Sequence, residues 1–333
     1  MNFKIYIYLF NILSIFCFKQ PIPFADSSLS KQGIHKIAIP GNEDVAVWWS
    51  MKDQKWNAVH DMCPHRQVEL SLGFINPITN DIKCRYHGIE FDGCGKCTLI
   101  PSSSYNKNIF SVKNYYIKEK YDLLWIDDTD ENEPPFIDVM ERPHSKLLWF
   151  IIYSNFTIDI ALENGLDFTH LDHIHHGFPM GFDRFNPSGF YQNVTKNWFN
   201  ETGFSCNIYN DILNITTELK FTSDNYIFWN YKYASIFVIT NKLNDKTTRT
   251  ASTIIVPSEN KIRNTILQSL FNLLGPVIKI IGNLVFNQDA IVLTSQQKTI
   301  KKYGKKYNVS GHADLPITLY NKWLKKYGDQ EQS

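Results

Sequence analysis

The chain has 333 residues, enough for one large or two medium domains with a sizeable core. Its 34 Lys and Arg residues almost balance its 33 Asp and Glu residues, and no cluster of cations is long enough to follow a phosphate backbone. We therefore expect no nucleic-acid partner. The aromatic share of 14% is high and would suit a roomy apolar pocket.

Residues 1–18 begin with Met-Asn-Phe-Lys and continue through an apolar run, Ile5–Phe18, that Asn11 and Ser14 interrupt. The run is short for a membrane-spanning helix but suits the hydrophobic region of a targeting signal. An N-terminal strand is the alternative, because Ile and Tyr alternate near the start. We favour a leader, which would direct the protein to a membrane-bounded compartment.

A first domain is predicted over residues 36–127, where short runs of strand formers are separated by turn formers. Val45–Trp49 and Lys55–Val59 are two of these runs. The acidic, proline-terminated stretch Asp127–Pro135 then has the composition of a linker. The sequence thus predicts a small all-β domain that is followed by a second domain.

The second domain, predicted over residues 136–328, mixes helical and strand patterns. Phe156–His173 has helical character, Gly189–Pro257 alternates like several antiparallel strands, and Ile266–Gln297 is long and helical. The predicted fold class is therefore α+β, with an all-β domain before an antiparallel sheet wrapped by helices. Polar residues interrupt the last helix about once per turn, so we interpret it as amphipathic and packed on its own sheet rather than on a membrane.

The six cysteines are unevenly spaced, which is not the framework of a small disulfide-bonded domain. Two of them belong to the strongest motif, Cys63-Pro-His65 followed by Cys84-Arg-Tyr-His87. Finger-type zinc sites usually pair Cys with Cys and His with His. Here each half supplies one of each, which favours a Rieske-type [2Fe–2S] cluster with two thiolates on one iron and two imidazoles on the other. Zinc is the alternative.

Neutral imidazole donates less charge than thiolate, so the His-ligated iron is easily reduced. Such a cluster accepts electrons from a low-potential donor. Apolar residues beside both halves are expected to shield its sulfides, namely Leu70, Leu72, Phe74, Ile89 and Phe91.

Residues 163–176 concentrate four histidines and three carboxylates, which raises the possibility of a second metal site. His170 and His175, together with the distant Asp289, would form the two-His, one-carboxylate triad that holds ferrous iron in oxygenases. Five residues on a helix place two side chains about 140° apart, so the helix must end or loosen between the two histidines.

Asp167 lies one turn before His170, where its carboxylate could hydrogen-bond a metal-ligating imidazole and offer an electron route. Each of these residues taken alone would be an ordinary surface residue. Their occurrence together, downstream of a cluster motif, favours an iron site.

From about Pro40 to Tyr327 the chain resembles the Rieske non-haem iron oxygenases, and among them the pheophorbide a oxygenase and chlorophyllide a oxygenase branch. The residues that carry this resemblance are Lys55–Ala58, Cys63–Arg66, Leu70–Gly73, Tyr86–Gly88, Phe91–Pro101, Glu163, Asn164, Asp167, His170, His175–Gly177, Asp289, Ser295, Gln296 and the tail residues Ala313, Asp314, Trp323 and Leu324.

The resemblance implies a helix-grip catalytic domain, O2 as co-substrate, a ferredoxin as electron donor and a ring of subunits, usually a trimer. It implies that Asp167 connects the centres of neighbouring subunits and that His170, His175 and Asp289 bind the mononuclear iron. A large apolar substrate, first of all a chlorophyll-derived tetrapyrrole, a plastid location and peripheral membrane contact also follow from it.

Two other functions remain open at this point. A sterol or another lipid could be the substrate of the same kind of oxygenase. Alternatively, the chain could be a non-catalytic Rieske electron carrier or redox sensor, against which the intact His170, His175 and Asp289 argue.

Overall fold

Two units make up the fold, and the boundary between them falls between Pro135 and Phe136. The computed structural model describes residues 20–101, 110–146, 148–177, 183, 185, 193–210, 214–305 and 311–328. The predicted leader, residues 1–18, lies outside the described residues. The predicted fold class, an all-β unit followed by an antiparallel sheet with helices, is confirmed.

The N-terminal unit is built from ten strands. They are β1 (Ile22–Asp26), β2 (Ile34–Ile39), β3 (Glu43–Ser50), β4 (Lys55–His60), β5 (Phe74–Ile75), β6 (Ile82–Lys83), β7 (Glu90–Phe91), β8 (Cys97–Leu99), β9 (Asn114–Lys120) and β10 (Leu123–Asp127). Six form one sheet in the order β1-β10-β9-β4-β3-β2, and the other four form a small sheet in chain order. Because β1 pairs with β10, the unit begins well before the predicted residue 36.

Strand β3 explains the apolar run that the sequence shows there. Val45 and Val47 point into one core of the sheet, whereas Ala46 and Trp48 point into a second core that also contains Cys63. Successive side chains of a strand face opposite sides, so a strand that is buried on both sides must be apolar throughout. The second core lies against the loops that carry the cluster motif.

The C-terminal unit contains five helices and eight strands among the described residues. They are α1 (Asp138–Glu141), β11 (His144–Lys146), β12 (Phe150–Ser154), α2 (Ile158–Leu166), α3 (Leu171–Ile174), β13 (Asn193–Asn200), β14 (Gly203–Asn210), β15 (Ile215–Thr222), β16 (Tyr226–Asn230), β17 (Ser235–Asn244), β18 (Thr247–Pro257), α4 (Lys261–Tyr303) and α5 (Leu315–Tyr327). The sheet order is β11-β18-β17-β16-β15-β14-β13, and β12 pairs with β18 beside β11.

One face of this sheet buries α2 and α5. Leu166 and Trp323 pack with Phe221 in the same core, and the Tyr320 hydroxyl donates to Asp159 Oδ1 at 3.0 Å. This hydrogen bond joins the two helices, so that α2 is held firmly just before the histidine-rich segment.

Two helices differ from the prediction. The segment predicted as one helix, Phe156–His173, breaks at Asp167, which ends α2 in an extended conformation with ψ of 115°. Helix α4 is longer than predicted, and of its residues only Gly275, Asp289 and Leu293 are buried. Most of its apolar side chains therefore do not enter the core of this unit.

Candidate metal centres

The two halves of the cluster motif form two loops of the same design. In the first, the Cys63 amide donates to the Val68 carbonyl and the Gln67 amide to the Cys63 carbonyl, both at 2.8 Å. In the second, the Cys84 amide donates to Ile89 at 2.8 Å and the Gly88 amide to Cys84 at 3.0 Å. Each loop is thus a closed six-residue turn whose first residue is a cysteine.

The fifth residue of each loop has a positive φ, 58° at Gln67 and 70° at Gly88. Glycine adopts this left-handed region without strain. Gln67 is held there by the hydrogen bond from its amide to the Cys63 carbonyl. The repeated backbone geometry brings one Cys and one His of each loop to a common space.

The side chains of this space fit an iron–sulfur cluster. Cys63 and Cys84 are buried, the rings of His65 and His87 lie 4.6 Å apart, and His65 Nδ1 is buried without a hydrogen-bond partner. Burial and the neighbouring Cys84 thiol raise the pKa of Cys63 to about 11. A buried polar atom without a partner is rare, and a metal ion both satisfies such an atom and deprotonates a thiol.

The spacing of these groups argues against a single zinc ion. Zinc bonds of about 2.0–2.3 Å would hold tetrahedral ligand atoms within roughly 4 Å of one another. Among the described residues, a set of three ligand atoms within 4.8 Å of one another occurs elsewhere, at His170, His175 and Asp289, and not at this motif. The motif therefore lacks the close spacing of three ligand atoms that a single zinc ion requires.

The prediction that five apolar residues beside the motif shield the cluster is partly wrong. Leu70, Ile89 and Phe91 share the core with both cysteines. Leu72 and Phe74 are exposed, because the 3-10 helix Leu70–Leu72 and the two-residue strand β5 point these side chains outward.

The C-terminal unit brings together the three residues of the predicted triad. His170 Nε2 lies 3.6 Å and His175 Nε2 3.4 Å from the same atom, Asp289 Oδ1. All three side chains are largely buried. Two imidazole nitrogens and one carboxylate oxygen thus converge on one point, as a facial iron site requires.

The electrostatics of this site also suit a divalent cation. Burial lowers the pKa of both histidines, which keeps the ligating nitrogens free of protons. Burial also raises the pKa of Asp289 to about 7, and its Oδ1 is buried without a hydrogen-bond partner. A buried carboxylate oxygen facing two neutral imidazoles is costly unless a cation compensates it, so the residues present fit ferrous iron.

Local structure explains how His170 and His175 converge. His170 directly precedes α3, and His175 directly follows it with ψ of 30°, so the chain leaves the helix at the second histidine. The predicted loosening between them is therefore present at His175. Asp289 lies on α4. Gln297 of the same helix accepts a hydrogen bond through its Oε1 from the Thr157 amide at 3.0 Å, which fixes α4 beside the start of α2.

The sequence interpretation missed two neighbours of the triad. Gln288 Oε1 lies 3.1 Å from His175 Nδ1, and the Asn164 side chain hydrogen-bonds to Asp289. An amide oxygen can only accept, so Nδ1 carries the proton and Nε2 is left to bind a metal. The available signal was that Asn164 follows Glu163 and Gln288 precedes Asp289 in the sequence. Residue type alone does not reveal the contacts that these two side chains make.

Substitution of Gln288 tests its role in holding His175. We expect Gln288→Leu to weaken ferrous-iron affinity by about 10- to 100-fold, because the ring loses the acceptor that fixes its tautomer. Gln288→Glu keeps an acceptor and should restore most of the affinity. Anaerobic iron titration of both variants measures the difference, and equal affinities would contradict the role.

Asp167 is close to the triad but is placed differently from the expectation. Its Oδ2 lies 3.9 Å from His170 Nδ1, too far for a hydrogen bond. Its Oδ1 instead accepts from the amide of Thr169 at 2.8 Å and from the hydroxyl of Thr169 at 2.7 Å. The end of α2 at Asp167 explains the difference, because the two side chains are not on one continuous helix.

Comparison with known proteins agrees with the cluster motif of the N-terminal unit. The model of the Rieske [2Fe-2S] domain family matches residues 23–115. The chain is 25% identical over 331 residues to the chloroplastic pheophorbide a oxygenase of Arabidopsis thaliana, an alignment that covers 86% of this chain and 60% of that protein. The chain thus spans less than two thirds of this relative.

Two further proteins are similar over different lengths. The 4beta-methylsterol monooxygenase of Methylococcus capsulatus is 29% identical over 158 residues, which cover 44% of this chain and 41% of the relative. The crystal structure of dicamba monooxygenase bound to dicamba superposes with a TM-score of 0.69 at 13% identity, covering 95% of this chain and all of that one. The second likeness shows that the two proteins share a fold.

Proposed function

Because this chain carries a Rieske [2Fe–2S] domain and is homologous to Rieske non-haem iron oxygenases, we propose that it oxygenates a large apolar substrate with O2 and externally supplied electrons. The observation that carries this proposal is the convergence of His170, His175 and Asp289 in the unit that follows the cluster domain. A cluster alone would serve only electron transfer. The buried triad adds a place where oxygen chemistry can occur.

The metal groups supply the redox chemistry when bound, the cluster delivering single electrons and the ferrous iron providing open positions for O2. The protein supplies the environment. His170 and His175 offer unprotonated nitrogens because burial disfavours their charged forms. Gln288 orients His175, and Asp289 contributes the negative charge that balances the cation.

We assign His170, His175 and Asp289 as the iron ligands and Cys63, His65, Cys84 and His87 as the cluster ligands. Asp167 is the group through which electrons reach the iron site, supported by its position 3.9 Å from His170 Nδ1. In this proposal the donor is a ferredoxin and the chain assembles as a trimeric ring, in which electrons pass between neighbouring subunits.

The proposed substrate is a chlorophyll-derived tetrapyrrole, and the proposed location is the plastid. Both are supported by the match to a chloroplastic pheophorbide a oxygenase over 86% of this chain. The sterol monooxygenase matches over a shorter length, 44% of the chain, so a sterol is the second candidate.

A product assay tests the substrate class. Anaerobically reduced, iron-loaded protein is given isotopically labelled O2 together with chlorophyll catabolites in one set and sterols in another, and products are analysed by mass. We expect label in a tetrapyrrole product. Label in a sterol product would overturn the tetrapyrrole assignment, and no labelled product with either set, from protein that holds both metal centres, would favour an electron carrier.

A further inference from the structure

Helix α4 contacts its own sheet through polar side chains. Gln268 hydrogen-bonds to the backbone of Lys146 in β11 twice, accepting from the amide at 3.0 Å and donating to the carbonyl at 3.1 Å. The Ser145 hydroxyl donates to the Asn264 carbonyl at 3.0 Å. The helix therefore contacts the edge strand β11 through hydrogen bonds, as another strand would, rather than through apolar side chains.

Two glycines continue this inner side further along the helix. A Cβ atom added at Gly275 would collide with the side chain of Leu148, and one at Gly282 would lie 2.6 Å from Phe150 Cε1. Small residues at these positions allow the helix to lie close to the sheet. The inner side of α4 is thus polar at one end and small in the middle.

The opposite side of the helix is apolar and exposed. We call it the outer face of α4, and its members are Ile262, Ile266, Leu270, Leu273, Val277, Ile280 and Leu284. Each of these side chains is between 42% and 75% exposed. At about 100° per residue, they occupy an arc of roughly 80° whose centre is diametrically opposite Asn264, Gln268, Gly275 and Gly282.

This arrangement is the reverse of the usual one. A helix on the surface of a soluble protein turns its apolar stripe toward the core and its polar stripe toward water. Here the apolar stripe runs outward for about 33 Å, from Ile262 to Leu284. Continuous apolar surface of this extent marks an interaction site.

Charge indicates what covers the outer face. Residues 261–288 carry three cationic side chains, Lys261, Arg263 and Lys279, and no Asp or Glu. All three are exposed, Arg263 next to the outer face and the two lysines further round the helix. An anionic lipid surface attracts a helix that carries such cations as well as an apolar stripe. A two-fold contact with a second copy would place these cations against the same acid-free surface, where they would find no opposite charge. A ring contact, which pairs this face with a different surface of a neighbouring copy, is the alternative that the oligomer measurement below tests.

The helix is long and apolar enough to cross a membrane by length and composition, with a mean hydropathy of 1.6 over its most apolar window. Its inner side is nevertheless committed to β11 through Gln268 and Asn264. A spanning helix would have to give up these contacts. The geometry suits a helix that lies in the plane of the membrane surface.

We propose that the outer face of α4 inserts into the headgroup boundary of an anionic lipid bilayer and holds the enzyme on the membrane surface. This surface function does not depend on which substrate is oxidised. It would place the C-terminal unit where apolar molecules partition.

Vesicle sedimentation tests the proposal with the full chain. The probes are vesicles of phosphatidylglycerol and phosphatidylcholine in equal parts, and vesicles of phosphatidylcholine alone. We expect the wild-type protein to sediment with the anionic vesicles and to be released by salt. The double variant Leu273→Glu with Ile280→Glu should bind them at least about tenfold more weakly, because two charges enter the apolar boundary.

The matched control adds two charges to exposed apolar positions of the N-terminal unit, Met51→Glu with Ile78→Glu, and should sediment like the wild type. Thermal unfolding and the cluster absorption verify that each variant is folded. Wild-type protein that stays in solution, or equal binding by both double variants, would overturn the proposal. So would an oligomer that only the α4 variant dissociates while its vesicle binding is unchanged, since the outer face would then join copies of the chain.

Discussion

His170→Ala is expected to lose the mononuclear iron and all measurable turnover while the cluster spectrum stays unchanged. His170 is one of the three proposed ligands of the C-terminal site, and its Nε2 lies 3.6 Å from Asp289 Oδ1. Without it, the remaining pair of ligands holds ferrous iron weakly. Iron analysis, visible absorption and product formation on the same preparation measure the three quantities.

His173→Ala is the matched control for this substitution. His173 lies on the same short helix, α3, between the two proposed ligands, but it is exposed. Its loss should change neither the iron content nor the turnover. Full activity of His170→Ala, or an equal loss in His173→Ala, would contradict the assignment of the triad.

Cys84→Ser is expected to have the complementary effect. It should abolish the cluster absorption and turnover, yet leave the ferrous site of the C-terminal unit able to bind iron. The reason is that Cys84 begins the second cluster loop and is buried beside Cys63, whereas the triad belongs to the other unit. Visible absorption, acid-labile sulfide and anaerobic iron titration distinguish the two centres.

Two further variants control this experiment. Cys94→Ser removes an exposed cysteine from the same unit and should keep the cluster. His87→Ala removes a proposed ligand whose side chain is exposed, so it should lose the cluster without disturbing the core. Retention of a normal cluster in both Cys84→Ser and His87→Ala would refute the ligand set.

The cluster domain was predictable because its signal is local. Each half of the motif is a six-residue turn, and the spacing of Cys and His within it follows directly from the loop that the structure shows. The run of strand formers Val45–Trp49 likewise predicted strand β3, although only the structure shows that both of its faces are buried.

The proposed iron site was harder to predict, because its parts are distant in sequence. Strands β13–β18 and most of α4 separate His170 from Asp289 along the chain, although the two side chains lie close together in the structure. The break at Asp167 was not predicted, since the apolar pattern continues through it and the turn depends on contacts with Thr169. Gln288 could not be distinguished from other glutamines by pattern alone.

Helix α4 shows a further limit of sequence patterns. Its amphipathicity was predicted correctly, but a pattern does not say which stripe faces the protein. In the structure Gln268 accepts from the amide of Lys146 and donates to its carbonyl, so the polar side of the helix faces β11. The apolar stripe was thereby left outside.

The central claim is that one chain holds a [2Fe–2S] cluster and a separate mononuclear iron. The most direct measurement is the iron and acid-labile sulfide content of protein loaded anaerobically with ferrous iron. We predict sulfide equal to the cluster iron, plus one additional iron per chain that His170→Ala lacks. Zinc without sulfide, or no iron beyond that of the cluster, would contradict the account.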